Sequence, residues 1–175
     1  IAQTLTIEHP QRVRSLTSIM SNPGDRKSGR IAPKIMPKLA RMKPPTRATA
    51  ADRSTEMFKL FSGPHYDAAV HVARSQISIE RSFRPKGTAR QTAAIMASPD
   101  RTAGLRQVAV PTLIVHGLMD KLVLPSGGIA TARAVPNSRL LMFPDMGHDL
   151  PAPRHAEVIA AIKRNTDSVG VSRTV

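Results

Sequence analysis

The sequence has no cysteine and no tryptophan, and one tyrosine with four phenylalanines keeps its aromatic content at 3%. Without cysteine, the chain can form no disulfide, no thiolate metal site and no cysteine nucleophile. With so few aromatic rings, any hydrophobic core must be built from Val, Ile, Leu, Ala and Met. A hydrophobic share of 41% and a length of 175 residues are enough for one domain with a buried core.

Acidic residues are also scarce, because 12 Asp or Glu stand against 26 Lys or Arg and give a formal net charge of +14. Residues 22–104 contain sixteen of the basic residues and only six acidic ones. Such a charge attracts nucleic acid or an anionic surface. The basic residues are scattered singly, however, and few rings are available to stack on bases. A solvated basic surface is therefore favoured, and no specific nucleic-acid partner is expected.

Long apolar runs are absent as well. No run approaches the roughly eighteen residues of a membrane-spanning helix, and the N-terminus shows no basic-then-apolar signal pattern. We therefore expect no transmembrane segment and a cytoplasmic location. Because the chain begins at Ile1 rather than at a methionine, we also expect that it has been cut from a longer protein.

The most informative pattern lies in the C-terminal third of the chain. Residues 112–115 form a short β-branched run, typical of a strand buried on both faces of a parallel sheet. Asp120 follows in the next turn, and residues 126–134 have helical character. A second strand is predicted over residues 139–143, and His148 lies in the loop after it. The pattern places an acid and an imidazole after two successive strands.

An aspartate and a histidine so placed suit general-base catalysis. Parallel strands bring their carboxyl ends to one edge of a sheet, where α/β proteins bind their ligands. A carboxylate on one ring nitrogen fixes the tautomer and stabilises the imidazolium, while the other nitrogen serves a nucleophile. The alternative is a turn aspartate and an unrelated surface histidine. The strand contexts, the spacing and the glycines favour a catalytic pair of Asp120 and His148.

This pattern resembles the C-terminal part of the α/β-hydrolase fold, in which nucleophile, acid and histidine follow in that order. The resemblance implies that Asp120 is the acid and His148 the base of a serine ester hydrolase, with no cofactor, no metal and a small-molecule ester substrate. Residues 145–151 look most like the esterase branch that includes aclacinomycin methylesterase and mycobacterial carboxylesterases. The expected fold is α/β: about three parallel strands flanked by helices, with an inserted helical cap.

The N-terminus is similar to the segment that follows the nucleophile elbow in that family. Residues 1–7 are predicted to end a helix, His9-Pro10-Gln11-Arg12-Val13 matches the closing pattern, and a strand is predicted over residues 12–20. No Gly-x-Ser-x-Gly elbow occurs in the chain, and Ser126, before two glycines, is interpreted as a helix cap. The resemblance therefore implies a fragment. It would lack the serine and its oxyanion donors and be inactive alone.

The same resemblance divides the chain into four parts. Residues 1–22 would be a partial hydrolase core, residues 23–104 a helical cap, residues 105–168 the C-terminal core with the acid and histidine loops, and residues 169–175 a frayed tail. Apolar spacing predicts helices in four stretches of the second part: residues 51–61, 66–83, 88–97 and a short one opening near residue 99.

Several side chains in this middle part have more than one interpretation. Four could line a substrate pocket, although packing between helices is favoured: Met57, Phe58, Phe61 and Tyr66. His65 and His71 have no neighbouring carboxylate cluster, so a metal site is not expected there. His116, before the glycine of the acid turn, is interpreted as structural.

Two alternatives to an ester hydrolase stay open on the sequence. The first is a truncated protein or pseudoenzyme that binds without catalysis, and the less favoured second is a basic binder of nucleic acid or anionic surfaces. The predicted strand over residues 12–20 would also form an exposed apolar edge. Such an edge predicts marginal stability or self-association.

Overall fold

A computed structural model describes residues 1–169 of the chain. Three strands form one parallel sheet in the order β1-β2-β3: Leu16–Ile19 (β1), Thr112–Gly117 (β2) and Arg139–Phe143 (β3). Strand β1 pairs with β2, and β2 pairs with β3. Because all three strands run in the same direction, the loops that leave their carboxyl ends lie at one edge of the sheet.

The α-helices of the described residues flank this sheet. They are Ala2–Glu8 (α1), Met36–Ala40 (α2), Ala50–Phe61 (α3), Ala68–Arg81 (α4), Lys86–Ala97 (α5), Thr102–Leu105 (α6), Ser126–Ala134 (α7) and His155–Asp167 (α8). Five of them, α2 to α6, belong to the segment of the chain that connects β1 to β2. The expected α/β architecture of about three parallel strands with flanking helices is confirmed. A tail was expected over residues 169–175, and residues 170–175 of it lie outside the described part of the chain.

Strand β2 is the centre of the sheet, and all six of its residues are buried. Leu113 and Val115 point to one face, where they pack with Val158 of α8. On the other face, the ring of His116 lies against Gly128 of α7. A strand covered on both faces explains why this stretch is a continuous apolar run rather than an alternating one.

The first strand is shorter than the sequence indicated. Only Leu16–Ile19 pairs with β2, whereas a strand over residues 12–20 was predicted. Pro10–Arg12 forms a 3₁₀ turn, since proline fixes its own φ and donates no backbone hydrogen bond. At the other end, Met20 adopts a φ of 47°, which ends the extended conformation.

The middle of the chain is helical, as the apolar spacing predicted, with boundaries that differ by a few residues. Helix α4 begins at Ala68 rather than near Tyr66, because the Asp67 side chain accepts a hydrogen bond from the backbone N–H of Val70 at 3.1 Å. That interaction caps the helix N-terminus. Within residues 1–169, every helix is too short or too polar to span a membrane.

Ser126 does not cap a helix, so that interpretation is wrong. Helix α7 begins at Ser126 itself, and Pro125 occupies the cap position without a side-chain hydrogen bond. The Ser126 hydroxyl instead accepts a hydrogen bond from the backbone N–H of Gly29 at 3.0 Å. This contact joins the segment after β1 to the start of α7.

Candidate active site

The acid predicted from the sequence lies immediately after β2. The side chain of Asp120 is fully buried. Its Oδ1 atom accepts hydrogen bonds from the backbone N–H groups of Leu122 at 2.9 Å and Val123 at 2.8 Å. The turn that follows the strand therefore folds back on the carboxylate and holds one of its oxygens, which leaves Oδ2 to contact other groups.

The structure brings Asp120 and His148 into direct contact. His148 Nδ1 lies 2.7 Å from Asp120 Oδ2, although the two residues are 28 positions apart in the sequence. Because an ionised carboxylate can only accept, Nδ1 must bear the proton that joins the two groups. The other ring nitrogen, Nε2, makes no hydrogen bond within residues 1–169, and the His148 side chain is 24% exposed. This nitrogen is therefore available as a base.

A second imidazole lies beside the same carboxylate. His116 is fully buried, and its Nε2 atom is 2.8 Å from the carbonyl oxygen of Val123 and 3.4 Å from Asp120 Oδ2. Its Nδ1 atom has no hydrogen-bond partner among the described residues. The sequence indicated only a structural histidine here. The sequence feature that could have indicated this contact is the spacing, because His116 precedes Asp120 by four residues across a turn.

Opposing influences act on the acidity of this carboxylate. Burial has the largest effect and raises the pKa of Asp120. The contact with His116, the hydrogen bonds from His148 and from the backbone of Val123, and the charge interaction with His148 outweigh this effect. The pKa of Asp120 is therefore below its ordinary value, and Asp120 is a carboxylate at neutral pH.

The loop that contains His148 is held by backbone contacts with the end of helix α3. The N–H of His148 donates to the carbonyl oxygen of Phe61 at 2.8 Å. Asp149 Oδ1 accepts from the N–H groups of Gly63 at 3.2 Å and Gly147 at 3.0 Å. A side chain at Gly147 would collide with the Phe61 carbonyl oxygen, so only glycine permits this close approach.

A charged network fixes the start of the same loop. Arg154 binds Asp145 through two hydrogen bonds, from Nε to Oδ1 at 3.0 Å and from Nη2 to Oδ2 at 2.9 Å. His65 Nε2 lies 2.7 Å from Asp145 Oδ2. The hydrogen bonds with Arg154 and then with His65 lower the pKa of Asp145 to about 2. No local sequence pattern indicates this network, because His65 and Asp145 are 80 positions apart.

His71 lies apart from the acid and the histidine loops. Its Nε2 atom is 3.0 Å from the hydroxyl of Ser54, and its ring packs against those of Phe58 and Tyr66 at centroid distances of 4.5 Å and 5.6 Å. Burial and the nearby Arg74 lower the pKa of His71. This group of side chains joins α3 to α4.

The remaining aromatic residue considered for a pocket is part of a hydrophobic core. Phe61 is 3% exposed and packs with Ala32 and Ile35, and Met57 packs against this cluster. Within residues 1–169, no group of three or more His, Cys, Asp or Glu side chains could hold a metal ion.

A groove of about 770 Å³ lies near the carboxyl ends of the strands but does not include the Asp–His pair. Its apolar lining and its two arginines come from the segment after β1, helix α5 and the acid loop: Arg26, Arg30, Ile31, Met36, Ile95, Met96 and Leu124. Asp120 and His148 are absent from the lining, so this groove does not identify a substrate for them.

A parallel sheet with an acid and a histidine on the loops after two successive strands is typical of the α/β hydrolases. The sequence matches the family model described as alpha/beta hydrolase fold over residues 1–152. The chain therefore belongs to the α/β-hydrolase family. The narrower resemblance to one esterase branch stays a prediction.

Several solved structures share this fold at low sequence identity. A thermophilic esterase from Thermogutta terrifontis has a TM-score of 0.65 and 22% identity, over 96% of this chain and 61% of that one. An esterase from Rhodococcus sp. ECU1013 has a TM-score of 0.67 and 17% identity, and the match covers 96% of this chain and 61% of that one. A meta-cleavage product hydrolase from Pseudomonas fluorescens IP01 has a TM-score of 0.62 and 14% identity, and the match covers 95% of this chain and 59% of that one. The chain thus spans about three fifths of these proteins.

Proposed function

We propose that this chain supplies the acid and the histidine of a serine ester hydrolase that acts on a small-molecule ester. The observation behind the proposal is the 2.7 Å contact between His148 Nδ1 and the buried carboxylate of Asp120. This contact fixes the tautomer that leaves Nε2 unprotonated. Membership of the α/β-hydrolase family supports the same chemistry.

In the proposed reaction, a serine hydroxyl attacks the carbonyl carbon of the ester while His148 Nε2 takes its proton. Asp120 stabilises the imidazolium, which then protonates the leaving alcohol and leaves an acyl-enzyme. Water attacks the acyl group in the same manner, with His148 again acting first as base and then as acid. The carboxylic acid is released and the serine is restored.

The proposed serine is not among these 175 residues, which contain no Gly-x-Ser-x-Gly sequence. In this family, one oxyanion donor is the backbone N–H that follows the nucleophile, and the other comes from an earlier loop. Asp120 and His148 would therefore act only together with residues outside this sequence. We expect the 175-residue chain to be inactive by itself.

The helical segment between β1 and β2 is proposed to be the cap of this hydrolase. The contacts of α3 support this role, because its last residue, Phe61, accepts the hydrogen bond from the His148 backbone. A cap fixed to the histidine loop in this way would cover the site and select the ester. The boundaries of the proposed cap, residues 23–104, stay a prediction, as does the cytoplasmic location.

An ester-hydrolysis assay on two forms of the protein tests the proposal. The 175-residue chain should hydrolyse p-nitrophenyl acetate and butyrate at the background rate. A form extended at its N-terminus through an in-frame Gly-x-Ser-x-Gly sequence should turn both esters over. In that form, replacement of the motif serine by alanine should reduce kcat by about 10⁴-fold to 10⁶-fold.

The control is the extended form with His155→Gln, which changes a histidine that bonds the Leu150 carbonyl oxygen and does not contact Asp120. This variant should keep wild-type turnover. A reading frame with no such serine motif, or an extended form that binds esters without hydrolysing them, would favour the non-catalytic binding protein instead.

A further inference from the structure

We propose that His116 is a positioning residue that holds the carboxylate of Asp120 in line with His148. The inference rests on the proposed function, since it concerns the same acid and histidine. It stands on three contacts: His116 Nε2 to the Val123 carbonyl oxygen at 2.8 Å, His116 Nε2 to Asp120 Oδ2 at 3.4 Å, and His148 Nδ1 to Asp120 Oδ2 at 2.7 Å.

The surroundings of His116 fix its protonation at one nitrogen. Nε2 faces a carbonyl oxygen and a carboxylate oxygen, both of which only accept, so Nε2 must bear a proton. Nδ1 is buried against Gly128 and has no partner within residues 1–169. A second proton there would have no acceptor. Nε2 is therefore the donor that faces Val123 and Asp120.

With His116 in place, both oxygens of the Asp120 carboxylate are restrained. The backbone N–H groups of Leu122 and Val123 hold Oδ1, while the two imidazoles approach Oδ2. His116 also closes the acid loop, because its bond to Val123 spans the turn that contains Asp120. Without this donor, the carboxylate could rotate and its contact with His148 would lose alignment.

Packing alone does not account for an imidazole at this position. His116 is 0% exposed, and a buried ring nitrogen without a hydrogen-bond partner is unfavourable. A leucine would fill similar space without that penalty. What leucine could not do is donate a hydrogen bond towards Val123 and Asp120, and this difference separates a positioning role from a space-filling one.

Nuclear magnetic resonance on the 175-residue chain tests the inference without any need for activity. Long-range ¹H–¹⁵N correlation spectra of the wild type should show His116 protonated at Nε2 and unprotonated at Nδ1. His116→Leu removes the donor at similar volume, and His116→Gln restores a side-chain N–H. His71→Leu is the matched control, because it removes an imidazole that contacts Ser54 rather than Asp120.

Two signals report the position of the carboxylate: the ¹³C titration of Asp120 and the downfield proton of His148 Nδ1–H. In His116→Leu the pKa of Asp120 should rise and the downfield proton should broaden or disappear. His116→Gln and His71→Leu should keep both signals. If His116→Leu does not fold, the wild-type tautomer and the His116→Gln titration decide the question.

The inference is overturned if folded His116→Leu keeps both signals, if His116→Gln loses them, or if wild-type His116 bears its proton on Nδ1. A failure of the proposed function would look different. The N-terminally extended form would then fail to hydrolyse either ester, while the two signals of the 175-residue chain would still respond to the His116 substitutions.

Discussion

Replacement of Asp120 by alanine should destabilise the fold far more than replacement of His148 by alanine. Asp120 is buried and accepts from Leu122 N–H, Val123 N–H and His148 Nδ1–H. Each buried donor left without a partner costs about 1–3 kcal/mol, and Asp120→Ala removes the acceptor of two backbone N–H groups and of His148 Nδ1–H. We therefore expect Asp120→Ala to lower the free energy of unfolding by about 3–5 kcal/mol.

His148→Ala should lower the free energy of unfolding by only about 1–2 kcal/mol. The His148 side chain is 24% exposed, so water can reach the Asp120 oxygen that its loss uncovers. Asp120→Asn should fall between the two alanine variants, because its amide oxygen can still accept from the two backbone N–H groups.

Urea unfolding of the 175-residue chain, followed by circular dichroism, measures these differences as shifts of the midpoint at constant slope. A loss of 3–5 kcal/mol is a large part of the stability of a typical domain, about 5–15 kcal/mol, so Asp120→Ala is expected to be partly unfolded at 37 °C. Equal midpoints for Asp120→Ala and His148→Ala would refute the reasoning, because they would mean that the carboxylate does not organise the acid loop.

Three further outcomes are expected. The folded pKa of Asp145, about 2, is below the unfolded value of 3.8. The stability that its carboxylate adds is therefore present above about pH 4 and lost as the pH falls towards 2. The free energies of unfolding of the wild type and of Asp145→Asn, measured as a function of pH, should converge over that range. Gly147→Ala should lower the free energy of unfolding by about 1–3 kcal/mol because its methyl group meets the Phe61 carbonyl oxygen, whereas Gly87→Ala, on the open side of α5, should be neutral or stabilising in the same urea experiment. The outer edge of β1, which pairs with no other strand of residues 1–169, should cause self-association that grows with concentration, and a monomer at all concentrations in sedimentation equilibrium would contradict this expectation.

The sequence was sufficient to find the acid and the histidine because both belong to strand-end loops. Two short apolar runs and a helix between them determine a parallel pair, and parallel strands bring such loops to one edge of a sheet. Asp120 and His148 could thus be placed together before any distance was known. Their catalytic role still rests on the proposal and on the family.

The contacts that hold the histidine loop could not be found in the same way. His65 and Gly63 are separated from the loop by almost half of the chain, and their contacts depend on where α3 ends over the sheet. No local pattern specifies that position. The predicted β1 was too long mainly at its start, where residues 12–15 follow the 3₁₀ turn at Pro10–Arg12 and do not pair with β2.

The most direct test of the central claim is the rate at which a fluorophosphonate labels the serine of the N-terminally extended form. If His148, oriented by Asp120, is the base that activates the serine, His148→Ala should slow labelling by about 10³-fold or more, and His155→Gln should leave the rate unchanged. Labelling of His148→Ala at the wild-type rate would contradict the account, because the serine would then be activated without this histidine.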